Sequence, residues 1–218
     1  MDKDFWRKKW LNGDIGFHQG EVNPYLIHYC DELALQPADQ VFVPLCGKSQ
    51  DMIWLAQRGY KVLGVEASEL AVEAFFEKST LPVEQRHHRG FDLRRSNGIE
   101  VWCGDFFKLD ARDLKGVRGV FDRASLVAMP PALRRSYVHQ MAAIIEPGAR
   151  TLLVTMEYDC CEMDGPPFPV DEATVRKLYE GAFTVQLLGG ESVLDQHQRF
   201  RERGVSRLCE RSYLLQRR

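Results

Sequence analysis

The run VFVPLCGKS (41–49) carries an apolar segment to Pro44 and then delivers Leu45, Cys46 and Gly47 where a helix should begin. Gly47 lets backbone approach a ligand closely, and a helix N-terminus beyond it presents N–H groups that lack partners. A dinucleotide-binding turn of the form G-x-G-x-x-G has three glycines, and here there is one, so a diphosphate is poorly matched. Gly47-Lys48-Ser49 also suggests a P-loop, but that motif needs glycine at position 42, where Phe42 stands inside the apolar run. A second acidic signal lies at the end of KVLGVEA, where Glu66 follows the first turn by about 20 residues. A carboxylate there accepts hydrogen bonds from both ribose hydroxyls of an adenosine, and we favour this over a helix-capping or surface role. Nicotinamide dinucleotides and S-adenosylmethionine share that contact. The shortage of glycine favours the cofactor without phosphates.

Further along, Gly104-Asp105 follows a third apolar run, where an adenine ring would lie. Asp105 there is either an acceptor for the adenine amine or a solvated loop acid. Arg123 ends a fourth run in FDRAS, as a ligand-facing charge or as the partner of Asp122. Trp10 and Phe17 are candidates to roof the site, although Trp6 and Trp10, one helical turn apart, also suit a helix packed on a sheet. His18 reads as a surface residue or pocket lining. The stretch RFRER puts Arg199, Arg201 and Arg203 on one face if it is extended, as donors to a substrate or as a solvated strand face. His87-His88 has no partner at ligand spacing, so no metal site is expected.

These residues need a framework that gathers strand ends. QVFVPL suits a buried parallel strand, SQDMIWLAQRG a helix closed by Gly59, and KVLGVEA a second strand. Ser68 caps a helix over SELAVEAFFEK, and a polar basic excursion (EQRHHRGFDLRRSNG) leads to a third strand, IEVWCG. GVFDRASLV, PALRRSYVHQMAAIIEPG, RTLLVTMEY and DEATVRKLYEG continue the alternation as strand, helix, strand and helix. A rigid GPPFP loop precedes the last of these, and two final strands, FTVQLLG and RLCERSYLLQ, have no helix pattern between them. Ahead of all this, Asn23 caps a helix begun by Pro24. The expectation is an α/β doubly wound, mostly parallel sheet with right-handed crossovers, closed by an antiparallel C-terminal hairpin strand. In an open sheet of this kind ligands bind outside the carboxyl ends of the strands.

The chain has 218 residues and a formal net charge of −2, with 29 Lys+Arg against 31 Asp+Glu, so a general polyanion binder is not expected. Its length suits one domain over 1–218, with 1–35 as an N-terminal helical cover. The six cysteines form no C-x-x-C pair and read as reduced thiols of a cytoplasmic protein. The charged, aromatic start is unlike a signal peptide, and no apolar run reaches membrane-spanning length. Length and balanced charge predict a monomer.

WLNGDIGFHQ (10–19), VFVPLCGKSQDM (41–52), GVEASELAVEAFF (64–76), FDRASLVAMPP (121–131), GPPFPV (165–170) and LCERSYLL (208–215) together resemble the thiopurine S-methyltransferase family in its bacterial form. The resemblance runs through essentially the whole chain. It implies a class I methyltransferase with a Rossmann-like, seven-stranded sheet that moves a methyl group from S-adenosylmethionine to the sulfur of aromatic or heterocyclic thiols. It further implies cofactor contacts at Trp10, Leu45, Glu66, Gly104, Asp105 and Arg123, with Phe17 as the aromatic roof and Arg123 and Arg199 on the substrate side. Where the family carries basic and His residues after that last arginine, this chain has Phe200 and Arg201. Selenium and tellurium species are further acceptors associated with the family. The partner would be a small-molecule thiol, with no nucleic acid, membrane or metal involved.

Three alternatives are weaker. Base-methylating enzymes often carry Asp/Asn-Pro-Pro-Tyr/Phe after the fourth strand, but Met129-Pro130-Pro131 lacks the acid or amide and GPPF comes one strand late. An NAD-dependent oxidoreductase would need the missing glycines and a proton donor. A non-enzymatic binding module would use the same cofactor residues, so only a transfer assay separates it.

Overall fold

The computed structural model describes residues 3–77 and 79–218, with side chains from Phe5 onward. Met1 and Asp2 of the expected cover, and Lys78 at the end of the expected second crossover helix, lie outside the described residues. Among the described residues, nine strands form one sheet in the order β3-β4-β5-β2-β1-β6-β7-β9-β8. The central ladder is parallel: β1 (Gln40–Val43) lies between β2 (Lys61–Glu66) and β6 (Val117–Arg123), with β5 (Ile99–Cys103) and β7 (Arg150–Glu157) outside them. Their apolar runs are buried on both faces, as a sheet covered by crossover helices requires.

Successive residues of β1 show how the two layers form. Val41 and Val43 face α2 (Pro24–Tyr29), α3 (Gln50–Gln57) and α4 (Glu69–Phe76), packing with Leu26, Met52 and Val72. Phe42 faces α5 (Pro131–Ile144) and α6 (Glu172–Tyr179), packing with Tyr137, Met141 and Tyr179. The caps fall where the sequence places them. Asn23 accepts from the Tyr25 N–H ahead of α2, Ser68 from Ala71 N–H ahead of α4, and Gly59 beyond α3 adopts φ +89°.

Two expectations are corrected. The sheet has nine strands rather than seven, because the basic excursion is itself a hairpin, β3 (Glu84–His88) and β4 (Phe91–Ser96), paired antiparallel. Its turn residues Arg89 and Gly90 both take positive φ, +49° and +86°, which suits a two-residue hairpin turn. Every described side chain of β3 is exposed, so no apolar alternation marks it, and its charges suit a sheet edge. The late strands β8 (Phe183–Ser192) and β9 (Cys209–Arg217) pair antiparallel as expected, with β9 inserted beside β7, but a short helix at Gln198–Glu202 lies between them where none is expected.

The second correction concerns RFRER, which is the short helix α7 (Gln198–Glu202) and not extended. Phe200 anchors it, with ring centroids 6.3 Å from Tyr158 and 5.7 Å from His197. The three arginines therefore diverge: Arg199 reaches Asp14, Arg201 reaches Asp195, and Arg203 reaches the Asp164 carbonyl. Among the described residues no helix is long and apolar enough to cross a membrane.

Candidate active site

At the carboxyl ends of β1 and β2 the chain turns sharply. Leu45 adopts φ +46°, a left-handed conformation that costs a non-glycine residue of order 1 kcal/mol or more, and Gly47 follows at +53°. The turn is held by Glu66. Its carboxylate accepts from the Gly47 N–H at 2.9 Å and from the Ser68 N–H at 2.8 Å, so one acid joins both strand ends. Burial raises the Glu66 pKa, while the N–H groups of Ser68, Gly47 and Ala67 act against that rise. Close by, Asp51 in the first turn of α3 accepts from the Asn23 N–H and the Ser49 hydroxyl, both at 2.7 Å.

Trp10, on α1 (Lys3–Leu11), lies directly over this turn. A Cβ at Gly47 would stand 3.2 Å from its ring, and Lys48 Nζ lies 5.7 Å from the ring centroid. Phe17 meets both Trp6 and Trp10 edge-on, at 5.5 and 5.6 Å between centroids, so three aromatic rings form the roof.

The opposite wall begins where β6 ends. Arg123 donates to the Phe17 carbonyl at 2.8 Å, and Ala124 then adopts φ +65°. The Ser125 hydroxyl donates to the Pro44 carbonyl at 2.8 Å, fastening this strand end to the first. Asp122 points the other way and accepts from the Tyr137 hydroxyl at 2.8 Å; burial lifts its pKa to about 6 despite that bond. The alternative in which Asp122 pairs with Arg123 is not what forms, because neighbours on a strand face opposite sides. Burial lowers the Arg123 pKa, opposed by the Asp51 and Glu210 carboxylates. Arg199 reaches across from α7 to Asp14 at 3.2 Å, and Lys9 bonds the same carboxylate. Its guanidinium fills the space where Gly16 would carry a side chain, for a Cβ there would lie 1.4 Å from Nη1.

Trp10, Phe17, Leu45, Glu66, Arg123 and Arg199 thus line one cavity, and His18 joins them. Gly104 and Asp105 are not among its lining residues. Gly104 sits under the Phe91 ring, where a Cβ would come within 2.3 Å, and its N–H donates to the Glu66 carbonyl. Asp105 caps a short turn, one of its carboxylate oxygens accepting from the Phe107 N–H at 3.0 Å. Sequence reasoning missed Asp51, His197 and Glu210, all of which line the cavity. Asp51 had a readable signal, since Ser49-x-Asp51 is a helix-capping pattern. Glu210 had a fainter one, an acid inside the apolar strand CERSYLL.

The family model for thiopurine S-methyltransferase matches residues 1–218. Thiopurine S-methyltransferase of Pseudomonas fluorescens (strain Pf0-1) is 46% identical over 215 residues, covering 99% of both chains. Its counterpart in Nitrosospira multiformis is 47% identical over 215 residues, covering 99% of this chain and 98% of the relative. Among solved structures, a SAM-dependent methyltransferase from Anabaena variabilis aligns over 99% of this chain and 95% of its own, with a TM-score of 0.68 at 11% identity. The Burkholderia thailandensis 1,6-didemethyltoxoflavin-N1-methyltransferase, solved with 1,6-didemethyltoxoflavin and S-adenosylhomocysteine bound, covers 99% and 87% with a TM-score of 0.65 at 15% identity. At such identities these two structures speak for the fold, and the full-length relatives speak for the family. The chain belongs to the thiopurine S-methyltransferase family.

Proposed function

We propose that the protein transfers a methyl group from S-adenosylmethionine to the sulfur of an aromatic or heterocyclic thiol. The observation that carries this reading is a single cavity with Glu66 on one wall, Arg123 and Arg199 on the other, and an aromatic roof. The donor set fits the cofactor. An ionised carboxylate offers about four lone-pair directions, and two are used by the Gly47 and Ser68 N–H groups, which leaves acceptors for a ribose diol. The Gly47 N–H, which a diphosphate would need, is already committed to Glu66. That disfavours the nicotinamide dinucleotide alternative on a second ground besides the missing glycines.

When bound, S-adenosylmethionine supplies a sulfonium methyl, an electrophile that needs no further activation. The chain's own task is alignment in a dry site. Trp10 and Phe17 keep water from the reacting atoms, and Leu45 backs the turn that faces the ligand. Arg123 and Arg199 hold an anionic sulfur or the heterocycle that bears it, directly or through water. The fixed Arg123–Phe17 bond presets the roof over that position.

Isothermal titration with S-adenosylmethionine, S-adenosylhomocysteine, NADH and ATP tests the cofactor, and mass spectrometry after incubation with 6-mercaptopurine and simple aryl thiols tests the transfer. The expected result is binding of the first two ligands alone and an S-methylated product. Binding of NADH alone, or cofactor binding without transfer to any thiol, would overturn the reading.

A further inference from the structure

Glu210 is a buried acid to which the alignment of donor and thiol assigns no task. It sits near the start of β9, paired with Met156 of β7 and Glu191 of β8, and is 5% exposed. Its exposed remainder borders the cavity that Arg123 and Arg199 also line. Among the described residues no hydrogen bond or ion pair reaches its carboxylate, unlike Glu66 and Asp51, which are both tied down. Neither oxygen of that carboxylate is fully closed off from the cavity, so a ligand there can supply the hydrogen bond that the protein does not.

The surroundings of Glu210 are mixed in charge. Arg123 from β6 is the cation that acts on it, and Tyr25 from α2 and Glu191 from β8 are its further titratable neighbours. His197 and Arg203, flanking α7, border the same cavity. Burial raises the Glu210 pKa and Arg123 opposes that rise, which moves the group toward the range where a proton acceptor works best. The cavity therefore offers a fixed donor, Arg123, together with an unengaged acceptor, Glu210.

A heteroaromatic thione matches that pair. It carries its proton on the ring nitrogen beside the C=S carbon, and methylation at sulfur must shed that proton. We propose that Glu210 accepts the ring N–H of heterocyclic thione substrates and removes its proton as sulfur is methylated, making it the residue that selects thiones over simple thiols. The inference rests on the sulfur-methylating reading above. In the step, the thione sulfur forms its bond to the methyl carbon while the donor's sulfonium C–S bond breaks, its electron pair staying on the donor sulfur. The N–H electrons enter the ring and the proton passes to Glu210. A cation, an anion and a neutral thione become S-adenosylhomocysteine, a neutral thioether and a protonated Glu210, which returns its proton to solvent.

The test compares pyridine-2-thione, which keeps its N–H through neutral pH, with 4-nitrobenzenethiol, whose sulfur is already anionic there. In Glu210→Gln the ratio of kcat/KM for the thione to that for the thiol should fall tenfold or more, with S-adenosylhomocysteine titration confirming a folded cofactor site. Wild type should show an acid limb in kcat/KM for the thione, because Glu210 must be ionised to accept a proton, and Glu210→Gln should lose that limb. Glu210→Asp, which keeps the base on a shorter arm, should restore part of the ratio. A proportional loss on both substrates, or a loss on neither, would overturn the role. If Glu210→Gln does not fold, absence of a thione-specific acid limb in wild type overturns it equally. A wild type that methylates neither compound refutes the sulfur-acceptor reading itself, an outcome distinct from methylation of both with an unchanged ratio.

Discussion

The two walls of the cavity are built on different scales of the chain. The wall at β1 and β2 is closed by bonds between residues close in sequence: Glu66 is 19 residues from Gly47 and two from Ser68. The wall at β6 and α7 is closed by Arg123 to Phe17, 106 residues away, and by Arg199 to Asp14, 185 residues away. The first is buried, with Glu66 at 6% exposure, whereas the Arg199 and Asp14 side chains are 54% and 41% exposed. Exposed ion pairs contribute little, about 0–1 kcal/mol, so the Arg199 end of the second wall can shift where Glu66 and the bonded Arg123 cannot. Under the proposed function, the first wall would hold the cofactor and the second would receive the acceptor.

The largest effect that would break this division belongs to Glu66. Glu66→Gln keeps the shape but replaces one carboxylate oxygen with an amide that opposes a backbone N–H. Losing charge-assisted hydrogen bonds of about 1.5–3 kcal/mol each should weaken S-adenosylhomocysteine binding on the order of 100-fold or more. Isothermal titration measures this, and an affinity within threefold of wild type would remove Glu66 from the cofactor wall. Next comes Arg123→Ala, which frees the Phe17 carbonyl and removes the guanidinium. Turnover of thiols should fall on the order of 100-fold. The loss in kcat/KM should exceed the loss in S-adenosylhomocysteine affinity, and equal losses would erase the distinction between the walls.

What could be read in advance follows the same line. The crossover strands, their caps and Glu66 were legible because periodicity and capping act over a few residues. Asp105 stays open for the same reason: an Asp after a strand suits a ligand or a turn equally, and the Phe107 N–H takes only one of its two oxygens. The β3–β4 hairpin was missed because an exposed edge strand is held by its ladder and carries no apolar signature. RFRER alternates as a strand would, but packing of Phe200 against Tyr158 and His197 goes with a helical form. Glu210 and His197 share a cavity with Arg123 only through the pairing of the C-terminal strands with the sheet, a proximity that no local spacing encodes.

The smallest effect sharpens the comparison most, because it should separate activity from stability. Arg199 is held by one exposed ion pair and by the room that Gly16 leaves for its guanidinium. Gly16 is not in the left-handed region, so alanine suits its backbone and should leave stability unchanged or raised by about 0.4–1 kcal/mol through the unfolded chain. The added methyl would meet the mobile tip of Arg199, and the side chain should swing away without disturbing the fold. Gly16→Ala should therefore lower kcat/KM by about threefold to tenfold while thermal unfolding is unchanged or rises. Arg199→Ala should do the same, and the double variant should be no worse than the poorer single one, since both remove one guanidinium from one place. Additive losses in that cycle would mean Gly16 acts through the roof at Phe17 instead, and the acceptor wall would then be as rigid as the cofactor wall.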